Sequence, residues 1–416
     1  MTLSEELKWR GFVNQTTFAD LSVLDKKKWT FYHGFDASGD SLTIGNLAAI
    51  MLDKCFLRHG HEAILLAGGA TSLIGDPGGK DVERPLQDEK LIEANVAAVK
   101  KQIEGLFGNN VTMVNNLNWF KNMSVLEFLR DVGKHFSMTP LVQRDYIAKR
   151  MGQGGDGISY TEFSYTILQG YDFLHLYREH GANLQLSGSD QWGNCLSGVE
   201  LIRRVENKEV HAFTMPLILN KTTGKKFGKS EDGAVWLGPN KTSIYQFYQF
   251  WLNVDDEGVA DYLKVFTELD KPTVALTMAE FEDNRASRRA QKVLAYEVTK
   301  LVHGKDKADS VKRATETLFG DASYSKLSHG DINMLKGELR VTNAKIGKTL
   351  LVEVLVNAGL AKSNTEARRY LVDSGVYING LQFSSDKTTF EPEDSIHGHA
   401  IIRRGKNTQA VVQLSD

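Results

Sequence analysis

Through the first 215 or so residues, short apolar runs alternate with longer amphipathic stretches. Thr30–Phe35 reads as a strand, followed by the polar loop Asp36–Ser41 and a helical stretch from about Leu42 to His59 that Gly60 ends. The run Ala63-Ile64-Leu65-Leu66-Ala67 is apolar at every position, as a parallel strand covered on both faces has to be. Val111–Asn115 and Asn183–Leu186 predict two more strands, and Val125–His135, Thr161–Glu179 and Asn194–Val205 predict helices. Strands separated by helices of this length form βαβ units, so the predicted class is α/β with a parallel sheet.

After Lys221 the pattern changes. Residues 221–232 are rich in Gly and Lys and have no periodicity, and from Ser243 to about Leu318 the spacing is helical. In Phe281–His303, for instance, Ala290, Val293, Leu294, Leu301 and Val302 fall on one helix face. A further unit opens near Thr349. It has a short helix over Leu350–Asn357, a capping box at Ser363-Asn364-Thr365-Glu366, and an Asn379-Gly380 hairpin between Val376–Ile378 and Leu381–Phe383.

Length fits two to three domains for 416 residues. A net charge of −2 excludes a chain that holds polyanions by bulk charge, so any nucleic-acid contact must be a local patch. Two cysteines, Cys55 and Cys195, make neither a disulfide framework nor a cysteine-rich zinc site, and they fit a reducing compartment. No apolar run approaches a membrane span, and the first residues read as neither a signal nor a transit peptide, so a cytoplasmic chain without membrane contact is expected.

Four segments could carry chemistry. Asp36–Ser41 feeds Leu42-Thr43-Ile44-Gly45-Asn46 at a strand-to-helix junction, where unpaired N–H groups favour an anion. An ordinary capped helix with Asp40 or Ser41 as N-cap is the competing reading. Lys221–Ser230 holds four lysines in nine positions, which suits polyphosphate or a plain solvated loop. Tyr165, Gln169 and Asp172 share one helix face, a solvent stripe unless buried partners exist. Ser187–Asn194 is a polar turn after a strand, where open α/β sheets bind ligands. The common NTPase and dinucleotide fingerprints are absent.

Taken in order, these segments resemble the class I aminoacyl-tRNA synthetases, specifically the bacterial-type tyrosyl-tRNA synthetases. Leu42–Asn46 sits where the family has H-I-G-H, and Lys226-Phe227-Gly228-Lys229-Ser230 matches the K-F-G-K-S form of its K-M-S-K-S motif. Tyr165-x-x-x-Gln169-x-x-Asp172 and Gly188–Asn194 look like the tyrosine-binding helix and adenylate loop, and Leu350–Phe383 resembles an S4 RNA-binding module. Both histidines of H-I-G-H are replaced, by Thr43 and Asn46.

The resemblance implies a Rossmann-like catalytic domain over 1–220, a mobile lysine loop at 221–232 and an α-helical domain over 233–325. A linker at 326–348 and a small α+β S4-like domain over 349–416 complete it. It implies a tyrosine–tRNA ligase that joins L-tyrosine to ATP, with Mg2+ accompanying ATP and no tightly bound cofactor, and passes tyrosyl to the 3′ end of tRNA(Tyr). Lys226, Lys229, Ser230, Ser38, Thr43 and Asn46 would act on the phosphates. Tyr32 and Asp172 would read the substrate phenol, Asp76, Tyr165 and Gln169 the ammonium, and Gln191 the carboxylate side. Asp36, Gly45, Asn46, Asp190 and Lys229 would line the ATP side. Arg368, Arg369, Arg403 and Arg404 would meet tRNA, and a homodimer is the family's usual state. Residues Arg285–Arg313, with nine Lys/Arg against three Asp/Glu, form another basic patch that solvated helix faces explain equally. The replaced histidines motivate an alternative: a non-catalytic RNA-binding protein derived from a synthetase.

Overall fold

The computed structural model describes residues 1–77, 87–143, 145–152, 157–230, 233–320, 322–383, 387–405 and 408–416. Its contacts divide it into two compact units, Met1–Ser243 with Phe250–Leu294, and Ile244–Gln249 with Ala295–Asp416.

The first unit is built on β1 (Thr30–Asp36), β2 (Glu62–Gly68), β3 (Thr112–Asn115), β4 (Leu184–Gly188) and β5 (His211–Met215), all parallel in the order β3-β2-β1-β4-β5. Helices α1 (Ile44–Arg58), α2 (Glu89–Phe107), α3 (Tyr160–His180) and α4 (Trp192–Glu206) accompany it. β1 pairs with β2 on one side and β4 on the other, so the chain order reverses beside β1. That reversal opens a crevice at the carboxyl ends of β1 and β4.

Local chemistry sets the helix ends. Ser159 accepts from the Glu162 N–H to start α3, and Gly181, at φ +71°, lets the chain turn away after it. Val125–His135 is helical only in three short pieces: an α turn at Val125–Glu127, a wide turn over Phe128–Val132 and a tight one over Gly133–His135. Its large side chains Val125 and Leu126 are exposed, and only Phe128 and Val132 pack against the core.

The second unit contains α6 (His329–Glu338), α7 (Leu351–Asn357) and α8 (Asn364–Val372), α5 being Val259–Phe266 of the first unit. Its sheet comprises β6 (Arg340–Lys345), β7 (Val376–Ile378), β8 (Leu381–Gln382), β9 (His399–Arg404) and β10 (Thr408–Ser415), in the order β8-β7-β9-β10-β6. Asn379 and Gly380 both take positive φ, the two-residue turn their sequence predicts. Residues 326–348 are not a linker: they form α6 and β6, and β6 runs parallel to β10 from Arg340 to Lys345. Only Ala344 of β6 is buried, so the strand has no apolar alternation to announce it.

Among the described residues, no helix is long and apolar enough to cross a membrane.

Candidate active site

The crevice at the ends of β1 and β4 is a cleft of about 470 Å³. Tyr32 from β1, Asp172 from α3 and Gln185 from β4 form its buried side. The Tyr32 hydroxyl and the Oε1 atoms of Gln169 and Gln185 have no hydrogen-bond partner, although all three are buried. Unpaired buried polar atoms cost free energy, so a cleft lined with them is arranged for a polar guest. Burial also pushes the Tyr32 phenol far above its usual range, which keeps its proton available for donation.

Asp172 is held from two sides. Trp119 Nε1 donates to Oδ1 at 2.9 Å and Asn116 Nδ2 donates to Oδ2 at 3.1 Å. Burial raises the carboxyl to about 8 despite these donors. Asn116 also accepts from the Ala70 N–H at 2.7 Å and donates to Thr71 Oγ1, which donates to Asp36 Oδ1 at 2.8 Å. Tyr165 completes the chain by donating to Asp36 Oδ2 at 2.9 Å. A Cβ at Gly68 would lie 2.3 Å from Thr71 Oγ1 and 2.6 Å from Asp36 Oδ1, so the network needs glycine there. Asp36 is thus tied directly to Tyr165, beside the side chains assigned to tyrosine.

On the other wall, Gln191 Nε2 donates to Asp76 Oδ2 at 2.6 Å, Asn194 donates to Gln191 Oε1, and Thr166 donates to Asn194. The Tyr–Gln–Asp stripe of α3 therefore faces a lined cleft, with Tyr165 and Asp172 buried and Gln169 on its wall.

At the amino end of α1, Thr43 and Asn46 hydrogen-bond to each other, and Ser38 and Gly45 are exposed on the cleft lining. The lysine segment is joined to this helix start by backbone. Val235 N–H donates to Gly228 O at 2.9 Å, Ile44 N–H to Val235 O at 3.1 Å, and Leu237 N–H to Leu42 O at 2.8 Å. A Cβ at Gly228, φ +86°, would meet Ile44 Cβ at 3.1 Å. Lys226 lines the cleft with Nζ 4.0 Å from Asp190 Oδ2. The side chains of Lys229 and Ser230 lie outside the described part of the structure.

Sequence reading passed over Asn116, Trp119, Thr71 and Gln185. Gln185 carried a signal, a polar side chain inside the apolar run Leu184–Leu186 of a strand buried on both faces. It also passed over His33, on the cleft wall, whose Nδ1 lies 2.9 and 3.0 Å from the two oxygens of buried Asp53. As a metal site, one trio among the described residues brings its ligand atoms within 4.8 Å: Glu6, Cys55 and His59. Arg10 and Arg58 already pair with Glu6, and burial pushes the Cys55 thiol up to about 12, so the trio is an ion-pair cluster.

Three of the four arginines expected to meet tRNA lie against tyrosines of the second unit. Arg404 Nη1 lies 3.2 Å from the Tyr370 hydroxyl, the guanidinia of Arg369 and Arg404 sit 5.5 and 5.0 Å from the Tyr370 ring, and Arg403 sits 4.3 Å from Tyr377. Arg368 is exposed beside Arg369 on α8. The Arg285–Arg313 basics are different. Arg285 pairs with Glu282, Arg289 with Glu280, Arg288 with Asp256 and Arg313 with Asp331, acids that lie outside the counted stretch. Local pairing accounts for much of that patch.

Two family models match the chain: "tRNA synthetases class I (W and Y)" over residues 24–320, and "Tyrosine--tRNA ligase SYY-like C-terminal domain" over residues 331–412. The chain is 43% identical to a tyrosine–tRNA ligase of Lactococcus lactis subsp. cremoris (strain SK11), covering 99% of this chain and 100% of the relative. It is also 43% identical to one of Bacillus caldotenax, covering 100% of both. Among solved structures, a C-terminally truncated mitochondrial tyrosyl-tRNA synthetase of Aspergillus nidulans superposes with a TM-score of 0.69 at 30% identity, covering 76% of this chain and 94% of that one. The chain belongs to the class I tRNA synthetases of the W and Y type, and within them to the family of the tyrosine–tRNA ligases.

Proposed function

We propose that the chain is a tyrosine–tRNA ligase that forms tyrosyl-adenylate in the cleft at the ends of β1 and β4. The observation that carries this reading is the unpartnered Tyr32 hydroxyl beside Asp172. A phenol can accept from the first and donate to the second, whereas phenylalanine leaves the Tyr32 hydroxyl unpaired and offers Asp172 no donor beyond Trp119 and Asn116. A discrimination on the order of 10⁵ can come from such a pair, and the handling of phenylalanine by this same enzyme family is the standard example.

Asp76, Tyr165 and Gln169 stand where the substrate ammonium would lie, and Gln191, held by Asp76 and Asn194, where its carboxylate would. The carboxylate is ionised at neutral pH, so attack on the α-phosphate needs no general base. The chain's work is to align the two substrates and to offset charge growing on the leaving diphosphate. Lys226 and Lys229 would supply cations from one side, and Asn46 and Ser38 donors from the other. Gly45 leaves the helix start open to a flat base. Asp36, on this reading, serves the tyrosine side through Tyr165 as much as the ATP side. Magnesium would enter on the ATP phosphates. Arg368, Arg369, Arg403 and Arg404 would meet the backbone of tRNA(Tyr), and the working form would be a cytoplasmic homodimer.

Tyrosine-dependent exchange of labelled pyrophosphate into ATP tests the reading. Exchange is the expected result. Its absence, with tRNA binding intact, would favour a non-catalytic RNA-binding protein derived from a synthetase.

A further inference from the structure

The lysine segment is anchored by an aromatic side chain between its lysines. Phe227 is buried, and its ring stacks on Tyr262 of α5 at 4.2 Å and 28°. Phe250, Trp251 and Phe266 close around it at 5.4, 5.6 and 5.6 Å. Trp251 and Phe266 in turn lie 4.8 Å apart, so the socket is a continuous aromatic cluster within the first unit. Gly258 makes room for it: a Cβ there would come within 2.4 Å of the Tyr262 ring.

The backbone translates that burial into the placement of Lys226. Phe227 N–H donates to Ile218 O and Asn220 N–H to Lys225 O, both at 2.9 Å, so the segment is paired in an extended form. Neighbouring side chains on extended backbone leave on opposite sides. With Phe227 fixed in the socket, Lys226 has to project the other way, where its Nζ stands 4.0 Å from Asp190. Phe227 and Phe266 themselves line the cleft, so the socket and the cleft share a wall.

We propose that the stack of Phe227 on Tyr262 is the positioning element of the lysine segment: it sets where Lys226 meets the diphosphate, and neither ring is a catalytic residue. The inference rests on the adenylate-forming reading above. Aromatic stacking has a preferred geometry that an aliphatic side chain does not reproduce, which is what makes a ring a better register pin than a leucine. A small displacement of a charge from its productive place can lower a rate about 10²-fold.

The test is a double-mutant cycle in pyrophosphate exchange, with tyrosine affinity measured in parallel. Tyr262→Phe keeps the stack and loses only the hydroxyl, with its 3.4 Å hydrogen bond to Leu219 O and its interactions with Asp255 and Lys221, so its exchange rate stays within about twofold of the parent. Phe227→Leu and Tyr262→Ala lower the exchange rate about 10- to 100-fold while tyrosine affinity stays within about twofold. In a Lys226→Ala background, Phe227→Leu then costs no more than about a further twofold, because the group it positions is gone. An equal fold-loss from Phe227→Leu with and without Lys226, or no loss at all in the single variant, would overturn the proposal and leave the adenylate-forming reading standing. A parent chain without exchange would overturn that reading itself.

Discussion

Thr43 gives both of its donors, the backbone N–H and the hydroxyl, to a single atom, Oδ1 of Asn46, each at 2.9 Å. The pair caps α1 and fixes which way the Asn46 amide faces: its oxygen is turned to Thr43, and its NH₂ group is left for the cleft. The two replacements for the family's histidines therefore act as one unit, in which Thr43 orients and Asn46 donates.

That division of roles is measurable. Asn46→Ala removes the donor itself and should lower kcat/KM for ATP in pyrophosphate exchange by roughly 10²–10³-fold, the usual loss for one preorganised donor to a developing charge. Thr43→Val keeps the backbone N–H on Oδ1 and removes only the hydroxyl, so its loss should be smaller, about 10-fold or less. If Thr43→Val proved the more damaging of the two, the hydroxyl would be acting on substrate directly.

Selectivity should reside in the pair on the buried side of the cleft. Asp172→Ala leaves Trp119 Nε1 and Asn116 Nδ2 without their acceptor and removes the group that receives the substrate phenol. The chain should still fold, and the ratio of kcat/KM for tyrosine over phenylalanine should collapse by several orders of magnitude. Tyr32→Phe should lower the same ratio by less, about 10- to 100-fold, because one partner remains. Undiminished discrimination in the Asp172→Ala chain would mean that the phenol is read elsewhere.

Asp172 also gives stability a pH signature. Its carboxyl keeps its proton to about 8 in the folded chain and loses it near 3.8 when the chain unfolds. Between those values the folded state holds more protons, so stability falls as pH rises, by up to about 1.4 kcal/mol per pH unit, and levels off above about 8. Asp172→Asn pays a constant penalty, since its NH₂ must face one of the two donors, but it does not titrate. Thermal unfolding from pH 5 to 8.5 should therefore show the variant gaining on the parent as pH rises. Parallel curves would show that Asp172 is ionised throughout.

Much of this site was legible because its chemistry is local. The helix stripe Tyr165–Gln169–Asp172 puts polar groups at one face of a helix, and the turn at Gly188–Asn194 and the lysine segment each concentrate polar or charged groups and glycines in a few neighbouring positions. What was not legible is held by partners distant in sequence. Asn116 and Trp119 reach Asp172 from the end of β3, 56 and 53 residues away, and nothing in their own neighbourhood marks them. β6 escaped for a related reason: its pairing with β10 is set by backbone, with one buried side chain to betray it. For the Arg285–Arg313 patch the sequence left two readings open, because a count along the chain cannot see acids such as Asp331 that fold back onto it.

The arginines of the second unit supply a test that leaves the cleft untouched. Arg403 and Arg404 end β9; Arg369 reaches the same Tyr370 ring as Arg404 from α8, so two charges far apart in sequence meet there, while Arg403 lies over Tyr377. If they meet phosphates, Arg403→Ala and Arg404→Ala should each weaken tRNA binding and lower the slope of log K against log salt by about 1, whatever the RNA sequence. Tyrosine-dependent pyrophosphate exchange, which involves no RNA, should be unchanged in both. The measurement is a salt titration of tRNA affinity from about 50 to 200 mM, over which each lost phosphate contact becomes visible. An unaltered slope in both variants would assign these arginines to holding Tyr370 and Tyr377 within the unit, and the RNA-facing charge would have to be sought on another face.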